Sequence, residues 1–151
     1  MRMRLKLPMA MVAFCLVVAS GDALAGQGET LYEATCGACH GPGGVGTTSA
    51  PPIAGTDLWS RLGGKAGAYL TGVMAAGMSG TFLSGTSPYG NQPMPAQLSP
   101  SPEDMVQIAY YILVELNGGS MDDVPSARDF AEARENPPSI AALTALRNET
   151  Q

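Results

Sequence analysis

Histidine occurs once in these 151 residues, at His40, and tryptophan once, at Trp59. Cysteine is almost as scarce, with three residues at positions 15, 36 and 39. A closed zinc site usually takes four donors, mostly cysteine and histidine, and the chain is short of them. Basic side chains are also few, eight against thirteen acidic, for a formal charge of −5. That balance argues against nucleic acid or an anionic membrane surface as partner, and for a protein with a positive face. Long apolar runs are missing: Met9 to Ala19 is short for a bilayer span, and no second run follows. No stretch alternates with period two, so no strands are expected and a thioredoxin-like site lacks its βα setting. No internal repeat is present.

What is there begins with an export signal. Arg2, Arg4 and Lys6 precede the apolar run, and Ala23-Leu24-Ala25 gives the small-x-small pattern of a signal peptidase site. Residues 1–25 are therefore expected to be cleaved, taking Cys15 with them. Phe14 stands where a lipoprotein signal needs a small residue, so no lipid anchor is expected. Cleavage would remove three basic residues and one acid, leaving five against twelve, a formal −7. The remainder suits one compact domain, here placed at 26–118, with 119–151 as a C-terminal extension.

Along that remainder the pattern is helical. Gly28 to Ala34 reads as a short helix running into Cys36, with Leu31 and Tyr32 on its buried side; Gly41-Pro42-Gly43-Gly44 stops it. Thr47 to Gly55 is an irregular loop stiffened by Pro51-Pro52. Asp57 to Leu62 has room for one or two helical turns. Leu70, Val73 and Met74 keep helical spacing within 66–76, and Gly77 is a stop. Ser79 to Leu98 is a long loop rich in glycine and proline, a length that usually marks function. The clearest helix follows: Ser101 as cap, Pro102 in the first turn, Glu103 and Asp104 at the positive end. Met105, Ile108, Ala109, Ile112, Leu113 and Leu116 form its apolar face, and Asn117-Gly118-Gly119 ends it. The extension is polar, with short helices expected at 127–135 and 140–147. The fold class is all-α.

The most specific motif is Cys36-Gly37-Ala38-Cys39-His40. Two thiols three residues apart, followed by histidine, form the covalent attachment signature for c-type haem. On a helix the positions i, i+3 and i+4 share a face, so both thiols can reach the vinyl groups of one porphyrin while His40 reaches the iron. A disulfide between Cys36 and Cys39 would close a tiny loop and stabilise little. The export signal favours haem over a cytosolic redox pair.

Gly28-x-x-Leu31-Tyr32-x-x-x-Cys36-x-x-Cys39-His40-Gly41 resembles the opening of the class I, small monohaem cytochromes c. Met94-Pro95-Ala96, then Leu98-Ser99 and the helix at 103–105, resembles that family's distal-ligand loop and closing helix. The resemblance covers roughly residues 27 to 117. It implies a class I cytochrome c fold: short helices wrapped around one covalently bound haem c, with Met94 as sixth iron ligand. Met94 sits between Pro93 and Pro95, which keep the backbone extended. Met78, just past the Gly77 stop, is the alternative ligand. Met74 and Met105 lie on apolar helix faces and read as core, and Met121 lies in the polar extension. The resemblance further implies that the Pro51 carbonyl accepts a bond from His40 and that Ile53 touches the haem. A plain stiff turn is the other reading of Pro51-Pro52. Trp59 either donates to a haem propionate or packs in the core; Tyr110 and Tyr111 are expected against Gly28 and Tyr32.

Histidine and thioether together fill the iron's axial sites and favour reduced iron. That implies outer-sphere electron transfer, without a nucleophile–base pair and without catalysis. The expectation is a periplasmic carrier between a dehydrogenase or quinol-oxidising complex and a terminal acceptor. A dedicated cytochrome subunit of one dehydrogenase is the alternative, with the extension and the 81–90 loop as its interface. A haem enzyme or sensor with an open sixth site is the third.

Overall fold

The computed structural model of the chain describes residues 22–90 and 92–149, without the side chains of residues 22–25 and 82. Most of the expected leader, residues 1–21, lies outside the described residues; residues 22–25 form the first turn of helix α1 (Asp22–Tyr32).

From α1 the chain passes through a π-helical turn, Glu33–Gly37, into the short α2 (Ala38–His40). Gly41 ends it at φ +77, where a side chain would be strained and a Cβ would meet the Gly46 carbonyl at 2.8 Å. Helix α3 (Asp57–Leu62) leads through a 3-10 turn to α4 (Ala66–Ala76). Helix α5 (Pro102–Tyr110) starts on a complete capping box: Ser101 accepts from the Asp104 N–H while the Asp104 carboxylate accepts from Ser101. It continues as a π-helical turn through Glu115.

The core is built where α1 meets α5. Tyr32, Met105 and Ile108 are fully buried there, and the Tyr32 and Tyr111 rings lie 5.3 Å apart. Gly28 permits the approach, because a Cβ on it would stand 2.6 Å from the Gln107 carbonyl.

One feature departs from the sequence reading, and a second decides a point the sequence left open, whether the extension is disordered, wraps the core or serves as a docking arm. The Ser79–Leu98 loop contains a hairpin, β1 (Phe82–Ser84) antiparallel to β2 (Ser87–Tyr89), in the register Phe82↔Tyr89 and Ser84↔Ser87. Its two-residue turn begins with Gly85 at φ +59, the first central position that some hairpin turns reserve for glycine. The strands are three residues long, too short to leave a period-two signal. Second, the C-terminal segment folds onto the core. Helices α6 (Ala127–Glu135) and α7 (Ile140–Asn148) pack on α4, and α6 on α5, sending Phe130 and Leu143 into the same apolar cluster as Tyr32 and Met74.

Candidate functional site

The π-turn and α2 bring the pentapeptide to one wall of a cavity of about 530 Å³. Cys36 is buried, Cys39 exposed, both are free thiols, and both line this cavity with His40. Burial pushes the Cys36 thiol up to about 12, with Cys39 and Glu33 adding to it. The thiol is thus held neutral.

His40 is 9% exposed, and its Nδ1 lies 2.9 Å from the Pro51 carbonyl. A carbonyl only accepts, so Nδ1 carries the proton and Nε2 keeps its lone pair. Burial holds the imidazole below the ordinary histidine range, partly offset by the bond to Pro51. A neutral, oriented imidazole is the form that binds a metal. The loop that presents Pro51 is itself tied down. Thr47 Oγ1 donates to the Cys39 carbonyl at 2.6 Å and accepts from the N–H groups of Ser49 and Ala50, and Gly46 N–H bonds the His40 carbonyl at 2.6 Å. Thr47 was missed in the sequence, where nothing distinguishes it from the neighbouring Thr48 and Ser49 as a tie. Glu33 is another such residue: its carboxylate accepts from the Gly43 N–H at 2.7 Å.

Met94 and Met78 stand together at the cavity wall. They form a reciprocal antiparallel bridge, Met78 N–H to Met94 carbonyl at 3.0 Å and the reverse at 2.8 Å. Gly77, at φ +76, makes room for it, since a Cβ there would collide with the Met94 carbonyl. Both thioethers are half-buried. Met74, 2% exposed, also contributes to the wall, whereas Met105 is enclosed in the core and Met121 is 58% exposed on the extension.

Ile53 lines the cavity, but its carbonyl has a role the sequence did not suggest. It accepts from Trp59 Nε1 at 2.7 Å and from Asn117 Nδ2 at 3.1 Å. The Trp59 indole therefore anchors the loop that presents Pro51 rather than standing free to reach a propionate, and its ring meets Tyr69 edge-on at 6.4 Å. Tyr111 sits against Gly28 and Tyr32 as expected, while Tyr110 is half-buried.

The residues present fit a large apolar group with a metal centre and polar edges. Leu58, Leu70, Val73 and Ile112 supply apolar wall. The wall offers one neutral imidazole and three methionine thioethers, Met74, Met78 and Met94, with two thiols for attachment. Thr56, also on the wall, has a buried Oγ1 with no hydrogen-bond partner among the described residues, which leaves it open to a ligand's polar edge. Among the described residues no cluster of three or more His, Cys, Asp or Glu side chains is placed to hold a metal ion by itself. A more open groove of about 700 Å³, between α4 and the C-terminal segment, contains none of the predicted site residues.

The family model described as Cytochrome c matches residues 25–114. No curated protein matches the chain.

Proposed function

We propose, from the premise that this chain belongs to the cytochrome c family, that it is an exported single-electron carrier in which His40 and Met94 would hold the haem iron. Members of the family bind covalently attached haem c and serve haem-based electron transfer rather than catalysis. When bound, the haem supplies a one-electron iron couple. The chain's residues do the rest. Cys36 and Cys39 would attach the group as thioethers, Pro51 orients His40 through Nδ1, and the apolar wall would exclude water. Met94 would supply the second iron ligand with His40, and a thioether there would favour the reduced state and leave no open position for substrate.

One observation carries this reading: a neutral imidazole held through Nδ1 and a methionine pair locked by its own backbone bridge line the same cavity. The carrier works in the periplasm after loss of residues 1–25; no helix among the described residues is long and apolar enough to cross a membrane. Its net negative charge suits a donor and an acceptor with positive docking faces. The donor is a dehydrogenase or a quinol-oxidising complex, and the acceptor is a terminal oxidase or another cytochrome.

The test is spectroscopic. The oxidised wild-type protein should show the long-wavelength methionine–iron charge-transfer band, Met94→Ala should lose it, and Met78→Ala should keep it. Cys36→Ser and Cys39→Ser should each lose one attachment. Retention of haem through acid extraction by the double serine variant would sink the attachment claim. A wild type that lacks the band and binds carbon monoxide when reduced would favour the open-site enzyme or sensor instead.

A further inference from the structure

Two arginines of the C-terminal segment reach the loop that carries the methionine pair. Arg134, on α6, donates through Nη2 to the carbonyls of Gln97 at 3.0 Å and Pro100 at 2.5 Å. These carbonyls follow Met94-Pro95-Ala96 in a stretch without regular secondary structure. Gln97 is tied on its other side, its N–H donating to the Met74 carbonyl at 2.7 Å. Arg147, on α7, touches the other limb of the loop, with Nη2 3.4 Å from the Leu83 carbonyl and Nη1 3.3 Å from the Tyr69 hydroxyl.

The helices that present them are firmly seated. Phe130 of α6 is fully buried. Leu143 of α7 lies over Gly72 of α4, where a Cβ would stand 2.7 Å from its Cδ2. The Asp123 carbonyl lies over Gly67 in the same way. Asp123, Phe130, Arg134, Leu143 and Arg147 lie outside the family match, which ends at residue 114.

We propose that the C-terminal segment braces the distal loop, with Arg134 as its principal positioning residue. Pro93 and Pro95 stiffen the backbone around Met94, but a stiff segment still swings as a body unless both ends are held. The Met78 bridge holds it at Met94, and the Arg134 guanidinium holds it downstream. A charged donor bonded to two carbonyls, both here through Nη2, is a stronger tie than a neutral one. This rests on the reading above that the loop supplies the iron's sixth ligand.

The experiment uses the full haem-loaded protein: wild type, Arg134→Gln, Arg134→Lys, and Arg128→Gln as a surface control, since Arg128 pairs only locally with Glu132. Amide hydrogen exchange is read at Met94 and Gln97, whose N–H groups bond the Met78 and Met74 carbonyls, and along α5. Arg134→Gln should speed exchange at Met94 and Gln97 by about tenfold, the population change expected on losing a charged hydrogen bond. The amides of α5 should stay unchanged, Arg134→Lys should fall between, and Arg128→Gln should match wild type. Imidazole affinity for the iron should rise by a similar factor, because the loop-open state is the one that admits it. Exchange at Met94 and Gln97 within about twofold of wild type, or an equal rise in α5, overturns the brace. Faster exchange with unchanged imidazole binding, in a protein whose charge-transfer band is present, overturns its effect on the ligand. A wild type without that band removes the methionine reading, while faster loop exchange in Arg134→Gln would leave the brace standing.

Discussion

Several side chains here act through the backbone groups they hold. Tyr32 is buried, its hydroxyl donates to the Gly41 carbonyl at 3.3 Å, and burial pushes its phenol well above the ordinary range, so it remains a donor. Asp129 shows the opposite shift. It accepts from the Ser126 hydroxyl at 2.7 Å and from the Ser126 N–H at 2.8 Å, and those bonds hold its carboxyl below the usual carboxylate range. A carboxyl lowered on folding adds stability that is present above its unfolded pKa and lost as pH falls through the folded value. Removing the cap with Ser126→Ala should cost about 1 kcal/mol in denaturant unfolding at neutral pH. The gap between wild type and variant should narrow below about pH 4, where the unfolded carboxyl protonates. A gap that stays constant down to the acid transition would mean that the charge on Asp129 plays no part in the cap.

At the scale of elements, the closeness of α1 and α5 decides how α2 and the pentapeptide are presented. That closeness depends on Gly28, with the Gln107 carbonyl and the Tyr111 Cβ where a side chain would go, at 2.6 and 3.1 Å from a Cβ. Both neighbours are fixed by their own helix, so Gly28→Ala should destabilise by about 1–3 kcal/mol, the usual cost of overpacking. Gly64→Ala is the control: a Cβ there meets nothing within 4 Å, and its stability should change by less than about 1 kcal/mol. Equal effects of the two substitutions in chemical denaturation would show that the helix crossing is not the constraint. The same elements show how far local pattern reaches. The bounds of α3, α4 and α6 and the Ser101 cap follow from residues within a turn of one another, and all were legible. The hairpin of three-residue strands was not, because Gly85 is its main local mark.

In the whole molecule, α6 and α7 belong to one apolar cluster with α1, α4 and α5, since Phe130 and Leu143 share it with Tyr32, Leu70 and Ile108. Phe130→Ala should therefore cost about 3–5 kcal/mol. Helix content and the visible spectrum should still unfold together in denaturant, as expected for one cooperative unit. Two separate transitions would make the C-terminal segment an independent piece and weaken its role as a brace. The amino-acid sequence by itself determined the chemistry of the proximal side. Cys36, Cys39 and His40 fall within five residues, and about one helical turn brings them together whatever the remainder of the chain does. It also determined the all-α class through caps and apolar faces that are local. Tertiary structure decided the distal side: that Met78 and Met94 pair, that Trp59 anchors Ile53, and that Arg134 reaches Gln97 and Pro100. These contacts join residues six to thirty-seven positions apart by hydrogen bonds from a side chain or backbone to a carbonyl. Neither periodicity nor composition records such a bond, because every residue offers the same carbonyl and only the packed chain selects one.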